Sequence, residues 1–225
     1  MLDKQVPYAE IWMVRSIDTE VPSVLLADGY HFEYYQPGDE SDWVRIECAV
    51  GEFENEKEGH IYFQRSFAPY PEELKKRMLF VVNDLGEKVG TCTAWFKERF
   101  DGTYPLFHWL AVVPEHQGKG LAKALTVEIL TLFQKAELQR PIYLHTQTWS
   151  HPAIKLYQKL GFSLLSENFD GSENSDYPLA MEVLKRLEKE KGWKKNVISR
   201  SEKKMQENYF STFLIISAVF FLNSL

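Results

Sequence analysis

Cysteine is scarce: Cys48 and Cys92 are the only two in 225 residues. A disulfide-built scaffold is excluded, and such usage fits a reducing compartment such as the cytoplasm. No apolar run follows the first residue, where Leu2, Asp3, Lys4 and Gln5 stand, so a secretory leader is not expected. His60, His116 and His151 show no ligand spacing with Cys or carboxylates, and no metal centre is expected. There is no internal repeat. Basic charge is scarce too, except at one end. From Lys185 onward nine Lys and Arg face four Asp and Glu, a net +5, while the rest holds 17 against 28, a net −11. An acidic body with a basic appendage disfavours a broad nucleic-acid footprint. What is present is globular: 44% hydrophobic and 14% aromatic residues exclude global disorder.

Periodicity gives the order of elements. Residues 10–15 read as a strand, and 31–35 as a second. Asp39 or Ser41 can cap a helix bearing Trp43, Ile46, Ala49 and Val50. A helical stretch follows at 61–67, and Pro71-Glu72-Glu73 opens another. Residues 78–83 and 88–96 form a hairpin around the turn Asp84-Leu85-Gly86-Glu87. In the next strand, 104–113, alternation puts Leu106, His108, Leu110 and Val112 on one face. Then come a helix striped by Leu121, Leu125, Ile129, Leu132 and Phe133, a strand at 142–148, and a helix that Ser150 can cap and Gly161 ends. Residues 162–166 and 179–184 read as two last strands. This order argues one α+β layer domain over residues 8–185.

Gly118-Lys119-Gly120 lies between a strand and a helix. The first N–H groups of a helix lack internal partners and carry the positive end of its dipole, so such a loop can cradle a phosphate. Lys119 and Lys123 would add charge, although an ordinary strand–helix connection looks the same. The P-loop pattern is absent, and a dinucleotide fingerprint needs glycine where Lys123 stands. In Gln117-Gly118-Lys119-Gly120-Leu121-Ala122 the sequence resembles the Gln/Arg-x-x-Gly-x-Gly/Ala signature of the GNAT-type N-acetyltransferase superfamily. The segment from His108 to Glu115 is similar to that family's central strand. The segment from Ala153 to Phe162, with Tyr157 and Gly161, resembles its second hallmark about 35 residues on. The family often has Asn where Ser150 stands here, which puts one hydrogen bond to the ligand arm in doubt.

The resemblance implies a central mixed, mostly antiparallel sheet flanked by helices and splayed between the strands at 104–113 and 142–148. It also implies acetyl transfer from acetyl-CoA, as co-substrate, to an amine. The loop Gln117, Gly118, Lys119, Gly120, Leu121 and Ala122 would take the pyrophosphate. The strand edge at Leu110, Ala111 and Val112 would pair with the pantetheine arm, with Ser150 nearby. Tyr157 matches the family's donor to the sulfur leaving group, though an isolated Tyr on an apolar face more often simply packs. For the base that frees the amine, His108 comes first, His145 second and Glu115 third; each histidine could equally be a half-buried structural one. The backbone N–H of Leu110 or Val112 would hold the oxyanion. Trp95, Trp109 and Trp149 could wall an acceptor pocket, with Trp43, Phe63, Phe67 and Tyr70 on the acceptor side. An acidic body favours a cationic amine by steering.

Beyond 185 the chain reads as a basic, Lys- and Glu-rich helix or linker outside the core over 186–208, then a strongly apolar tail over 209–225. As a helix that last run reaches about 25 Å, short of the roughly 30 Å hydrocarbon core. It could anchor at a membrane from the cytoplasmic side, dock on the body or bind a partner. The sequence therefore supports a cytoplasmic N-acetyltransferase of unidentified amine acceptor. A silent acyl-CoA-binding module and a protein N-terminal or lysine acetyltransferase are the alternatives.

Overall fold

The computed structural model describes residues 2–136, 139–191 and 197–198. In chain order the elements begin with β1 (Glu10–Arg15), β2 (Tyr30–Tyr34), α1 (Glu40–Val50), α2 (Glu56–Ser66) and α3 (Pro71–Arg77). The centre is β3 (Met78–Asn83), β4 (Lys88–Arg99), β5 (Gly102–Val112), α4 (Leu121–Lys135) and β6 (Ile142–Gln147). The last elements are α5 (His151–Lys159), β7 (Ser163–Leu165), α6 (Tyr177–Lys191) and β8 (Val197–Ile198). The strands form one sheet in the order β2-β3-β4-β5-β6-β1-β7-β8. Only β5–β6 and β7–β8 pair in parallel; every other neighbour is antiparallel. A parallel pair needs a crossover, and α4 supplies it between β5 and β6. This is the mixed, mostly antiparallel sheet expected from the sequence.

The central opening follows from pairing that stops early. β5 and β6 are in register only at Leu106↔Tyr143 and Phe107↔Leu144, after which both strands continue without each other. Beyond that point β6 is held on its other side by β1, from Arg15↔Ile142 to Glu10↔Gln147. β5 stays on β4, so the two halves of the sheet part and leave one edge of β5 open near residues 108–112.

A bulge in β5 overturns the simple alternation read from the sequence. Thr93 pairs with His108 but Thr91 pairs with Ala111, so Trp109 and Leu110 together oppose Cys92. The inserted residue inverts the strand's phase. His108 therefore shares a face with Ala111 and not with Leu110. Trp109 takes a left-handed φ of 52°, a conformation costing a non-glycine residue about 1–2 kcal/mol. Its ring offsets that cost by stacking on Phe53, with centroids 5.5 Å apart, and by donating from Nε1 to the Tyr62 hydroxyl at 3.2 Å.

Two further expectations are corrected at the C-terminal side. Residues 179–184 are not a strand; they lie in α6, which runs through residue 185. Ala180, Val183, Leu184 and Leu187 are buried at helical spacing, so Leu187 belongs to the core and not to an outlying linker. Among the described residues no helix is long and apolar enough to cross a membrane. Residues 209–225, on which the anchoring reading rests, lie outside the described residues.

Candidate active site

The glycine loop leaves its backbone open to approach. Gly118 and Gly120 hold φ values of 78° and 82°, and a Cβ on either would meet nothing within 4 Å. Only glycine takes such a backbone without strain, and the empty space lets a ligand reach the chain itself. The first bond of α4 runs from the Ala124 N–H to the Gly120 carbonyl at 3.0 Å, so the N–H groups before it lack helical partners. No acid stands in the first turn of α4. The Gln117 side chain ties the loop back to β5 by donating to the Val112 carbonyl at 2.8 Å.

A cleft of about 320 Å³ runs from this loop along the open edge of β5. Leu110, Ala111 and Val112 line it, as do Gln117, Gly118, Gly120, Leu121, Ala122 and Ser150. Of the residues expected at this ligand, Lys119 and Lys123 are not on its wall; the Lys119 Nζ turns to the Tyr30 hydroxyl at 2.9 Å. Ser150 does not cap α5 with its side chain, because a one-turn 3-10 helix over Thr148–Ser150 leads straight into α5 without the extended residue a cap needs.

A second cleft of about 380 Å³ opens between the parted strands, and His108, His145 and Tyr157 all line it. The two clefts share Leu2, Glu52, Leu110, Ser150 and Ala153 as walls, so they meet at the bulge. Trp109 and Trp149 stand on the second cleft, whereas Trp95 does not. Trp43, Phe63 and Phe67 are core residues packed behind Trp109, and Tyr70 is exposed. Glu115 is exposed near the loop, away from this cleft.

Electrostatics separates the candidates. Burial lowers His108 to a pKa of about 3, with His145 and Lys97 adding repulsion, so its imidazole stays neutral and holds a proton poorly. His145 is lowered less far, because Glu10 beside it opposes the desolvation; Nε2 lies 3.2 Å from Glu10 Oε2 and the ring stacks on Trp12 at 4.6 Å. Tyr157 is 6% exposed and held by Phe107 and Phe162. Burial, with Cys92, Glu52 and Glu47 nearby, pushes its hydroxyl well above the ordinary phenol range, so it keeps its proton.

Sequence reasoning missed two acids on the second cleft. Glu47 on α1 is 1% exposed, and Glu52 follows just after that helix. Desolvation raises both, Glu47 far above the usual carboxylate range, with Glu52 adding repulsion. Glu47 Oε1 is buried without a hydrogen-bond partner. The signal was there: Trp43, Glu47 and Val50 lie at i, i+4 and i+7, which puts a carboxylate in the buried stripe of a helix.

A mixed sheet parted between two strands, beside a glycine-opened helix, defines a protein that can lay an extended, anion-ended ligand along a strand edge. The Acetyltransferase (GNAT) family matches residues 41–162, and the chain belongs to that family. It is 31% identical over 166 residues to a mycothiol acetyltransferase of Arthrobacter sp. (strain FB24), covering 70% of this chain and 50% of that protein. A mycothiol acetyltransferase of Thermobispora bispora is 28% identical over 174 residues, 68% of this chain and 53% of its own. The chain thus spans about half the length of the curated relatives it matches. A GCN5-related N-acetyltransferase structure from Sphaerobacter thermophilus shares the fold at a TM-score of 0.54 and 24% identity, covering 70% of this chain and 49% of that one.

Proposed function

We propose that the chain transfers an acetyl group from acetyl-CoA to a primary amine by direct attack on the thioester. The observation that carries this is the meeting of the two clefts at the open edge of β5. One is lined by the glycine loop and the other by Tyr157, the buried Glu47 and Glu52. Backbone N–H groups of residues 118–122 would hold the pyrophosphate, and the edge at Leu110, Ala111 and Val112 would pair with the amides of the pantetheine arm. The N–H of Leu110 or Val112 would face the charge that develops on the carbonyl oxygen.

Tyr157 is the donor to the sulfur as the C–S bond breaks. A phenol that keeps its proton in a buried site can give it to a departing thiolate. The amine nitrogen sheds a proton after it attacks, and that proton restores the phenol. Overall, ammonium and thioester become amide, thiol and one released proton. Of the two histidines, His108 is the weaker proton acceptor because of its depressed pKa.

Thiol release from acetyl-CoA, measured against a panel of primary amines and of peptides with free N-termini or lysines, tests the reading. Amine-dependent release is expected. CoA binding without such release across the panel would favour a silent acyl-CoA-binding module, and release with peptides alone would favour a protein acetyltransferase. Failure to bind acetyl-CoA would sink all three.

A further inference from the structure

Five residues line both clefts: Leu2, Glu52, Leu110, Ser150 and Ala153. Leu110 belongs to β5 and Ala153 to α5, while Glu52 and Ser150 sit in the turns that follow α1 and precede α5. Leu2 alone comes from an extended segment ahead of β1 that forms no helix or strand.

That segment crosses the parting of the sheet. On one side the Leu2 N–H donates to the Val50 carbonyl at 3.2 Å, at the end of α1, and α1 packs on β4 and β5. On the other side lie Trp149 and His151, just past β6. The Asp3 N–H donates to the Trp149 carbonyl at 2.9 Å, and Asp3 Oδ2 stands 3.1 Å from Nε2 of the buried His151. Trp149 Nε1 donates to the Val6 carbonyl at 2.9 Å, and the Thr148 hydroxyl to that of Pro7 at 2.6 Å. Residues 2–7 are thus a strap that ties together the two halves of the site where β5 and β6 no longer pair. Val6 of this strap packs against the core, whereas Leu2, half-buried, lines the clefts.

We infer that Leu2 is a specificity-determining residue for the acyl donor: held at the junction of the clefts by the Asp3–His151 tie, it walls the space beside the thioester, which admits a short acyl chain and little water. The inference rests on the acetyltransferase reading. With the pantetheine arm along residues 110–112 and the amine in the second cleft, the thioester carbon stands where the clefts meet, among the five shared walls. Leu110 supplies the strand edge there, Glu52 and Ser150 are polar, and Ala153 carries a single methyl group. Leu2 is the one bulky apolar side chain brought in from outside the sheet. An apolar wall discriminates about tenfold or more per methylene. It also keeps water from the carbonyl carbon. Hydrolysis, in which water adds to that carbon and the C–S bond breaks to give carboxylate, thiol and one proton, is thereby slowed until an amine arrives.

The test measures kcat/KM for acetyl-, propionyl- and butyryl-CoA with n-butylamine, benzylamine and putrescine, thiol release with no amine present, and the Kd of each acyl-CoA by calorimetry. The wild type should prefer acetyl-CoA. Leu2→Asn, shorter and polar, should lower the acetyl-to-butyryl ratio of kcat/KM by about tenfold or more and raise amine-free thiol release by a similar factor. Leu2→Phe should move the ratio the opposite way. Asp3→Ala, which cuts the tie and keeps Leu2, should move it in the direction of Leu2→Asn. Loss of folded protein lowers both members of a ratio equally, so these shifts report discrimination. A wild type indifferent to chain length, or ratios within twofold of it in both Leu2 variants, would overturn the inference while leaving acetyl transfer intact. An unmoved ratio in Asp3→Ala would overturn the tie. If no amine is turned over, a Kd preference for acetyl-CoA that Leu2→Asn erases keeps the wall and sinks the transferase; no such preference sinks both.

Discussion

Replacing Tyr157 with Phe removes one oxygen from the wall of the second cleft. The ring is 6% exposed and packs against Phe107 and Phe162, with centroids 5.4 and 5.9 Å away. Those contacts survive in Phe, and no described residue hydrogen-bonds the hydroxyl. Folding should therefore lose less than about 1 kcal/mol, or under about 4 °C of Tm for a domain of this size. A positioned general acid contributes about 10²–10⁴-fold, equivalent to about 2.7–5.5 kcal/mol on the barrier. Chemistry and stability are thus expected to separate by a wide margin. Differential scanning calorimetry gives the first quantity and thiol release at saturating acetyl-CoA the second, with CoA affinity measured alongside. A kcat within twofold of the parent would refute the donor role. A fall in Tm far beyond 4 °C, matched by the loss of turnover, would refute the claim that the hydroxyl serves chemistry rather than packing.

Other sites give independent outcomes. Gly120→Ala meets no atom within 4 Å but must adopt a φ of 82°, so it should cost about 1–2 kcal/mol in a urea melt and weaken CoA binding further, because the methyl fills the anion's approach. Arg15 is buried and donates to the carbonyls of Leu160, Ser16, Thr19 and Glu20 at 2.7 to 3.2 Å. Arg15→Met leaves those acceptors stranded and should cost about 3 kcal/mol or more in the same melt. Glu47 carries a pH signature in stability as well. Its folded pKa is raised, so the native state keeps a proton that the unfolded chain loses; its contribution is fully present below the ordinary carboxylate pKa and is lost as pH rises through the folded value. Glu47→Gln should therefore gain Tm on the wild type progressively as pH rises above the ordinary carboxylate range, and a constant offset would contradict this. His108→Asn should leave the pH–rate profile unchanged, since a group titrating near 3 is already neutral in the assay range; a lost limb would restore it as the base.

How much of this was legible in the sequence depended on whether a feature had a local cause. The β3–β4 hairpin, the glycine loop and the strands at 10–15 and 142–147 announce themselves through turn residues and short apolar runs. α6 did not, because Leu179 to Leu184 is a short apolar run that fits either period. Only the burial of Leu187, one further turn along, settles it as a helix. The bulge at Trp109 has no signal of its own. A left-handed residue usually reads as glycine, and here a tryptophan is held there by Phe53 and Tyr62 from elements far away in sequence. That one inserted residue decides which side chains share a face with His108.

The same reasoning explains why a short motif could point to the glycine loop and not to the acids of the second cleft. Holding a pyrophosphate needs backbone N–H groups and empty space, which a few glycines at fixed spacing supply wherever the loop occurs. The second cleft is instead lined by particular side chains brought together by packing. Glu47 comes from α1, Tyr157 from α5 and Trp109 from β5, and no spacing in the chain relates them. The stripe Trp43, Glu47, Val50 was nonetheless readable as an anomaly, for a carboxylate on the buried face of a helix needs either a partner or a use. Among the described residues Glu47 Oε1 has no hydrogen-bond partner, and the residue lines the second cleft.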